Sequence, residues 1–350
     1  MPPAYPPSYP PKPRPGDRVA VVSPSAGLPE LFPRPYELGL DRLRRDFGLE
    51  VVEYPTTRKM SAPAERARDL NAAFGDPSVK AVLTSIGGDD QITVLPHLDR
   101  ELIRANPKPF FGMSDNTNLL AYLWSTGIVG YHGGAVMTEF GRPGAMHPLT
   151  EASLRAALFG RAEHELRPAD TYRDVDYPWD EPATFAGEPP MEPGSGWTWR
   201  NADRVAEGVS WGGNLEILSW LLMADREIAA DPSVYDGCVL FLETSEDMPS
   251  AGDVFWILRA MGERGLLQRF SALLWGRPKS WSFESPNSAE EKVRYANDQR
   301  AAVLRAVETY APSIPVVLDV DLGHTDPQLV IPYGGRIRVD GPARRITVTY

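Results

Sequence analysis

Cysteine is almost absent from this chain: Cys238 stands alone among 350 residues. No internal disulfide can form, no cysteine cluster can hold a metal, and a reducing cytoplasm is the expected setting. Histidine is scarce too. His97, His132, His147, His164 and His324 show no H-x-x-x-H pairing, which argues against a zinc hydrolase, and no metal or other cofactor is expected. Positive charge is in deficit, with 36 lysines and arginines against 47 aspartates and glutamates and a formal net charge of −11. Such a balance excludes broad binding to nucleic-acid polymers or anionic lipid. Long apolar runs are missing as well. Residues 116–138 carry no Asp, Glu, Lys or Arg, but Gly127, Gly130, Gly133, Gly134 and His132 interrupt them, so they read as a helix and a buried strand rather than a membrane span. The opening MPPAYPPSYPPKPRPGD has no apolar centre and is no secretory signal. Its prolines predict an extended, loosely attached arm over residues 1–15.

What is present is ordinary globular usage, 42% hydrophobic and 24% charged, in a chain long enough for about two domains. From Arg18 to Ser125, short β-branched runs (RVAVVS, LEVVEY, VKAVLTSI, PFFGM) alternate with helical patterns over Tyr36–Phe47, Ala64–Phe74 and Asn116–Ser125. That alternation predicts an α/β fold: an N-terminal open, mostly parallel α/β sandwich over residues 16–165. A Pro-, Asp- and Glu-rich stretch ending in Gly-Ser-Gly then reads as a linker or loop region, taken as residues 166–200. The rest, residues 201–350, predicts a smaller mixed α/β domain with strands VLFLE, ALLW and PVVLDVDL. Its helices fall near 214–223, 251–264 and 289–310, and a closing hairpin turns at Asp340-Gly341.

In parallel α/β sheets, reactive side chains gather beyond the carboxyl ends of strands. Three apolar runs end there in Ser114, Glu243 and His324. A hydroxyl, a carboxylate and an imidazole are the parts of an acyl-transfer triad. Gly112-Met113-Ser114-Asp115-Asn116 resembles a nucleophile elbow without its second glycine, and N-capping by Ser114 is the competing structural reading. In Ser85-Ile86-Gly87-Gly88-Asp89-Asp90 the paired glycines let backbone amides approach a ligand. The amides near Gly88 and of Asp115 are the candidate oxyanion hole, and Asp89 is a candidate substrate contact. The same Gly-Gly-Asp loop also permits a phosphate-binding, kinase-like reading, although no Walker sequence accompanies it. His132, at the end of another apolar segment, is an alternative base.

Together these segments resemble the serine carboxypeptidase family of LD-carboxypeptidases and microcin C self-immunity peptidases. The marks are GDRVAVVSPSAG, SIGGDD, FFGMSDNTNLL, YHGG, WGGNLEIL, LFLETSED, LLWGRPKS and LDVDLGHTDPQLVIPYG, in this order from about Gly16 onward. Gly134 departs from a proline common in many members. The resemblance implies a catalytic Ser114, Glu243 and His324, oxyanion donors near Gly88 and Asp115, no metal, and a homodimer. It implies a small peptide-like substrate, with the chain more like the microcin C immunity branch, which cleaves an aminoacyl-nucleotide, than the branch that trims murein tetrapeptides. On that reading Trp197 or Trp199 stacks on a base, although both also fit as loop anchors. Lys279, with Arg277, is placed to pair with a substrate carboxylate or phosphate, although either could equally be solvated.

Overall fold

A computed structural model describes residues 7–160 and 162–350. The first half carries β1 (Arg18–Val22), α1 (Pro33–Arg45), β2 (Glu50–Glu53), α2 (Pro63–Gly75), β3 (Val79–Thr84), α3 (Arg100–Ala105), β4 (Phe110–Gly112), α4 (Thr117–Ser125), β5 (Gly130–His132) and α5 (Pro148–Phe159). There follow β6 (Glu163–Leu166), β7 (Thr171–Tyr172), β8 (Glu192–Pro193), β9 (Thr198–Arg200), β10 (Val205–Asn214), α6 (Leu215–Ala224) and β11 (Val239–Glu243). The chain ends with α7 (Ala251–Glu263), β12 (Ala272–Gly276), α8 (Ala289–Tyr310), β13 (Val316–Val320), β14 (Ile331–Tyr333), β15 (Arg336–Asp340) and β16 (Arg345–Thr349).

Among the described residues, one sheet has six strands in the order β14-β5-β4-β3-β1-β2. It is parallel except at β14, which runs antiparallel to β5. A second has eight, in the order β6-β16-β15-β10-β11-β12-β13-β9. Its centre, β10 to β13, is parallel, with antiparallel strands on either side. The strands at the centres of both sheets are almost wholly buried, as sheets covered on both faces require. Local chemistry sets the helix ends: proline opens α1, α2 and α5, and Ser250 and Ser288 form capping boxes with Asp253 and Glu291 on α7 and α8. Helix α4 is buried from Thr117 to Trp124 and packs on α6 and β10. It ties the two sheets together directly behind Ser114. No described helix is long and apolar enough to cross a membrane.

The mixed α/β architecture with a parallel-rich N-terminal sheet is the one the sequence predicts, but the two halves exchange strands. β14, from the C-terminal region, completes the first sheet, and β6, which runs into the first residue of the expected linker, joins the second. The 166–200 region is no bare linker, since it supplies β7, β8 and β9. The first six residues of the proline-rich arm lie outside the described residues. The part that is described is fastened, not loose. Ser8 exchanges backbone hydrogen bonds with Gly127 and Val129 at 2.9 and 3.1 Å, and the Tyr9 hydroxyl accepts from the Arg336 N–H at 2.7 Å. The Lys12 ammonium lies 4.0 Å over the Tyr131 ring and donates to the Ala157 carbonyl.

Candidate active site

Strand β4 ends at Gly112, and two residues later Ser114 sits in the left-handed region with φ of 58°. A non-glycine residue held there signals a constrained turn, the geometry by which an elbow exposes a nucleophile. Asn116 braces the turn by donating to the Met113 and Ile86 carbonyls at 3.0 and 3.2 Å, and Gln91 donates to Asn116 at 2.7 Å. Gly87 lies against the serine so closely that a Cβ there would fall 2.8 Å from the Ser114 Cβ. Gly88 and Asp89, exposed at the same loop, line a cavity with Ser114. Asp115 is fully buried behind it. Its carboxylate accepts from the Ser25 hydroxyl, from the Gln91 N–H at 2.9 Å and from Asn118 at 2.8 Å. Burial nevertheless pushes its pKa up to about 6.

From the second sheet, β11 ends in Glu243 and β13 leads to His324. The His324 Nδ1–H donates to Glu243 Oε2 at 2.6 Å, with the Glu243 side chain 0% and that of His324 12% exposed. Gly323, with φ of 92°, makes this approach feasible, since a Cβ there would lie 2.7 Å from the Glu243 Cβ. Burial pushes Glu243 upward, but the charge and hydrogen bond of His324 reverse this and hold its pKa below the usual carboxylate range. Burial likewise opposes the imidazolium, yet the carboxylates of Glu243 and Glu246 outweigh it and raise His324. Glu246 is the nearer influence on the far side of the ring, its Oε2 3.4 Å from Nε2. Ser114 and His324 line one cavity of about 970 Å³.

The remaining expected residues divide. Lys279 lines the cavity but is only 2% exposed, and its ammonium is spent on the Asp174 carbonyl and on Asp176 at 2.6 Å. Arg277 pairs with buried Asp321 at 2.9 Å. Neither is solvated, and each pairs its charge with a carboxylate of the protein, Arg277 away from the cavity lining. Trp197 and Trp199 do not line the cavity. The Trp197 indole N–H donates to Asp321 at 2.8 Å, and Trp199 is a β9 residue paired with Val317, with the Arg344 guanidinium 5.7 Å from its ring. The aromatic wall is built instead by Phe32, Tyr177, Trp179, Trp220 and Phe283. His132 is 1% exposed, edge-on to Phe241, with both ring nitrogens unpartnered, and burial pulls its pKa down to about 4. It does not line the cavity. Among the described residues, no group of three His, Cys, Asp or Glu side chains is placed to hold a metal ion.

Residues 19–133 match the LD-carboxypeptidase N-terminal domain, and residues 207–339 match the LD-carboxypeptidase C-terminal domain. A carboxypeptidase homologue from Treponema pallidum is 30% identical over 342 residues, spanning 96% of this chain and 93% of that protein. The chain belongs to the LD-carboxypeptidase family. The microcin C7 self-immunity protein MccF of Escherichia coli is 25% identical over 342 residues, spanning 95% of this chain and 93% of MccF. An MccF-like protein from Streptococcus pneumoniae, solved in complex with AMP, has a TM-score of 0.83 at 25% identity, covering 96% of this chain and 99% of that one. Membership of the LD-carboxypeptidase family supports a hydrolase of the carboxypeptidase class.

Several cavity residues escape a reading of the sequence. Glu216, in the first turn of α6, accepts the Ser245 N–H and hydroxyl, both at 2.8 Å, and so fixes the backbone just after Glu243. Burial, then the Glu243 charge, pushes its pKa up to about 7. Its only trace in the sequence is a carboxylate two residues after the α6 cap Asn214, a position that usually marks a helix start. Arg142 lines the cavity, bonded to Asp326 and Glu188 at 2.8 Å each.

Proposed function

We propose that the protein is a serine amidase of the carboxypeptidase type that hydrolyses the terminal amide of a small peptide-like substrate through Ser114, His324 and Glu243. The observation that carries this reading is the 2.6 Å bond from His324 Nδ1 to buried Glu243, with Ser114 on the same cavity. Glu243 fixes the tautomer that leaves Nε2 as the base. Nε2 takes the Ser114 proton as Oγ attacks the amide carbonyl. The backbone amides of Gly88 and Asp115 hold the developing oxyanion, an interaction whose loss typically costs ~10²- to 10³-fold in turnover. The imidazolium then protonates the leaving amine, and water, activated by the same imidazole, releases the acyl group from Ser114.

For the substrate we favour an aminoacyl-nucleotide of the microcin C type. The supports are the aromatic wall of Phe32, Tyr177, Trp179 and Phe283, on which a base can stack, and the AMP bound by the pneumococcal relative. One specific observation favours a murein tetrapeptide instead. Asp89, Glu216, Glu246, Asp247 and Glu284 line the cavity, whereas its lysine and arginines, Lys279, Arg142 and Arg173, are each already bonded within the protein. An acidic lining opposes a phosphate more than it opposes a peptide with free amines. The working setting we propose is the cytoplasm, with the protein as a homodimer, which light scattering on the eluting peak checks.

The deciding experiment offers the purified protein an aminoacyl-nucleotide amide and an LD-linked tetrapeptide and reads the products by mass spectrometry. Ser114→Ala should lower turnover by a factor on the order of 10⁴ to 10⁶ with folding intact. An unchanged rate rejects the nucleophile. Magnesium-dependent ATP binding that survives this substitution, with neither amide cut, would instead favour the nucleotide-binding reading of Gly87 and Gly88.

A further inference from the structure

Asp321 directly follows β13, three residues before His324, and is 0% exposed. Both of its carboxylate oxygens are engaged. Oδ1 accepts the Arg277 guanidinium at 2.9 Å, while Oδ2 accepts the Trp197 indole N–H at 2.8 Å and the Ala169 backbone N–H at 3.0 Å. Its carbonyl accepts the Leu329 N–H at 2.7 Å, so one residue pins both the entrance and the exit of the loop that carries His324. Arg277 is itself fixed, its N–H donating to the Val320 carbonyl at 2.8 Å and its guanidinium lying 4.3 Å over the Tyr172 ring. Further along the loop, Asp326 exchanges backbone hydrogen bonds with Arg173 at 2.6 and 2.8 Å.

Ala169, Arg173 and Trp197 belong to one segment, and between them Asp176, Tyr177 and Trp179 line the cavity. The wall that a substrate touches and the anchor of the catalytic loop are therefore the same piece of chain. A buried carboxylate is retained only where donors saturate it, and three converge on Asp321.

We infer that Asp321 is a positioning residue for His324, holding the imidazole against Glu243 by tying its loop to the segment 169–197. This rests on His324 being the base of the proposed reaction. Asp321 touches neither substrate nor Ser114; it acts through His324. Trp197, in this role, is a brace.

The test uses Trp197→Phe, which removes one donor and keeps an aromatic ring, and Asp321→Asn, whose amide nitrogen must face at least one of the three donors. Histidine is labelled with ¹⁵N and the His324 signals are identified by their loss in His324→Gln. A loosened His324–Glu243 bond lowers the measured His324 pKa, and we expect a fall of roughly half a pH unit or more in Trp197→Phe. On whichever amide the wild type cuts, kcat should drop on the order of tenfold while KM stays within about twofold, since a displaced base slows chemistry without removing a binding contact. An unchanged His324 titration in a folded Trp197→Phe protein overturns the inference. If the wild type cuts neither amide, the proposed reaction fails, and the titration still decides whether Asp321 positions His324. Should Asp321→Asn fail to fold, the titration of Trp197→Phe decides by itself.

Discussion

Replacing Glu246 with glutamine should make the protein more active at acidic pH than it is with its native carboxylate. In the proposed reaction His324 must be neutral to accept the Ser114 proton, so activity climbs as pH rises through the His324 pKa. Glu246 Oε2, 3.4 Å from Nε2, stabilises the imidazolium and moves that climb to higher pH. The Glu246 side chain is 57% exposed, so a water-like dielectric is the appropriate choice. Coulomb's law at this separation then gives about 1 kcal/mol, equivalent to just under one pH unit. The His324 side chain is only 12% exposed, which strengthens the contact, while salt screening of the exposed Glu246 carboxylate weakens it. The assay is kcat/KM from pH 5 to 10 for Glu246→Gln beside the wild type. The acid limb should move down by about one unit, and added salt should reproduce part of the shift in the wild type, since Glu246 faces solvent. An acid limb that stays put or moves upward would refute the electrostatic account. Glu243→Gln is the contrasting case. It removes the carboxylate charge and offers Nδ1 an amide donor that favours the wrong tautomer, and activity should collapse across the whole range.

Gly87→Ala places a methyl group 2.8 Å from the Ser114 Cβ, so Ser114, the proposed nucleophile, must move. Turnover should fall by ~10²-fold or more while circular dichroism stays native-like. Arg66 is 1% exposed and holds Asp90 with two bonds of 2.7 Å, as well as the Pro24 and Ser25 carbonyls, so it ties together the loops that follow β1 and β3. Arg66→Ala should cost about 3 kcal/mol by urea denaturation, the lower end for a broken buried pair because the Asp90 side chain is 34% exposed. Lys279→Ala should lower stability by about 1 to 3 kcal/mol through the unpaired Asp174 carbonyl and Asp176. It should leave KM for carboxylate-bearing substrates nearly unchanged, and a large rise in KM would return Lys279 to a binding role.

The ends of the apolar runs were the most readable part of the chain. VLFLE stops at Glu243 in both sequence and structure, and the strand-end rule brings Ser114 and His324 forward as candidates because ligands of parallel sheets gather beyond the carboxyl ends of strands, although it brings forward His132 as well. Long-range partners were not readable. Trp197 in a Gly-rich loop suits a stacking platform or an anchor equally well, and only its meeting with Asp321, 124 residues away, decides between them. Strand β10 escapes notice because Gly208, Gly212 and Gly213 dilute its apolar pattern, and β14 because Pro332 sits inside a run of three residues. The acidic side of the cavity is invisible for another reason. Asp89, Glu216, Asp247 and Glu284 come from separate segments, and no local motif reports that they converge.

The exchange of strands between the two sheets bears on how the polypeptide reaches its native state. Because Ile331 to Tyr333 pair with Gly130 to His132, the six-stranded sheet keeps one border unsatisfied until residues about 200 positions further along the chain have left the ribosome. A fragment stopped at the midpoint would expose that border to neighbouring fragments and be prone to clump. Cutting the gene between the two halves should therefore not give two soluble proteins, and co-expressed halves should recover activity only if the late strand can slot home.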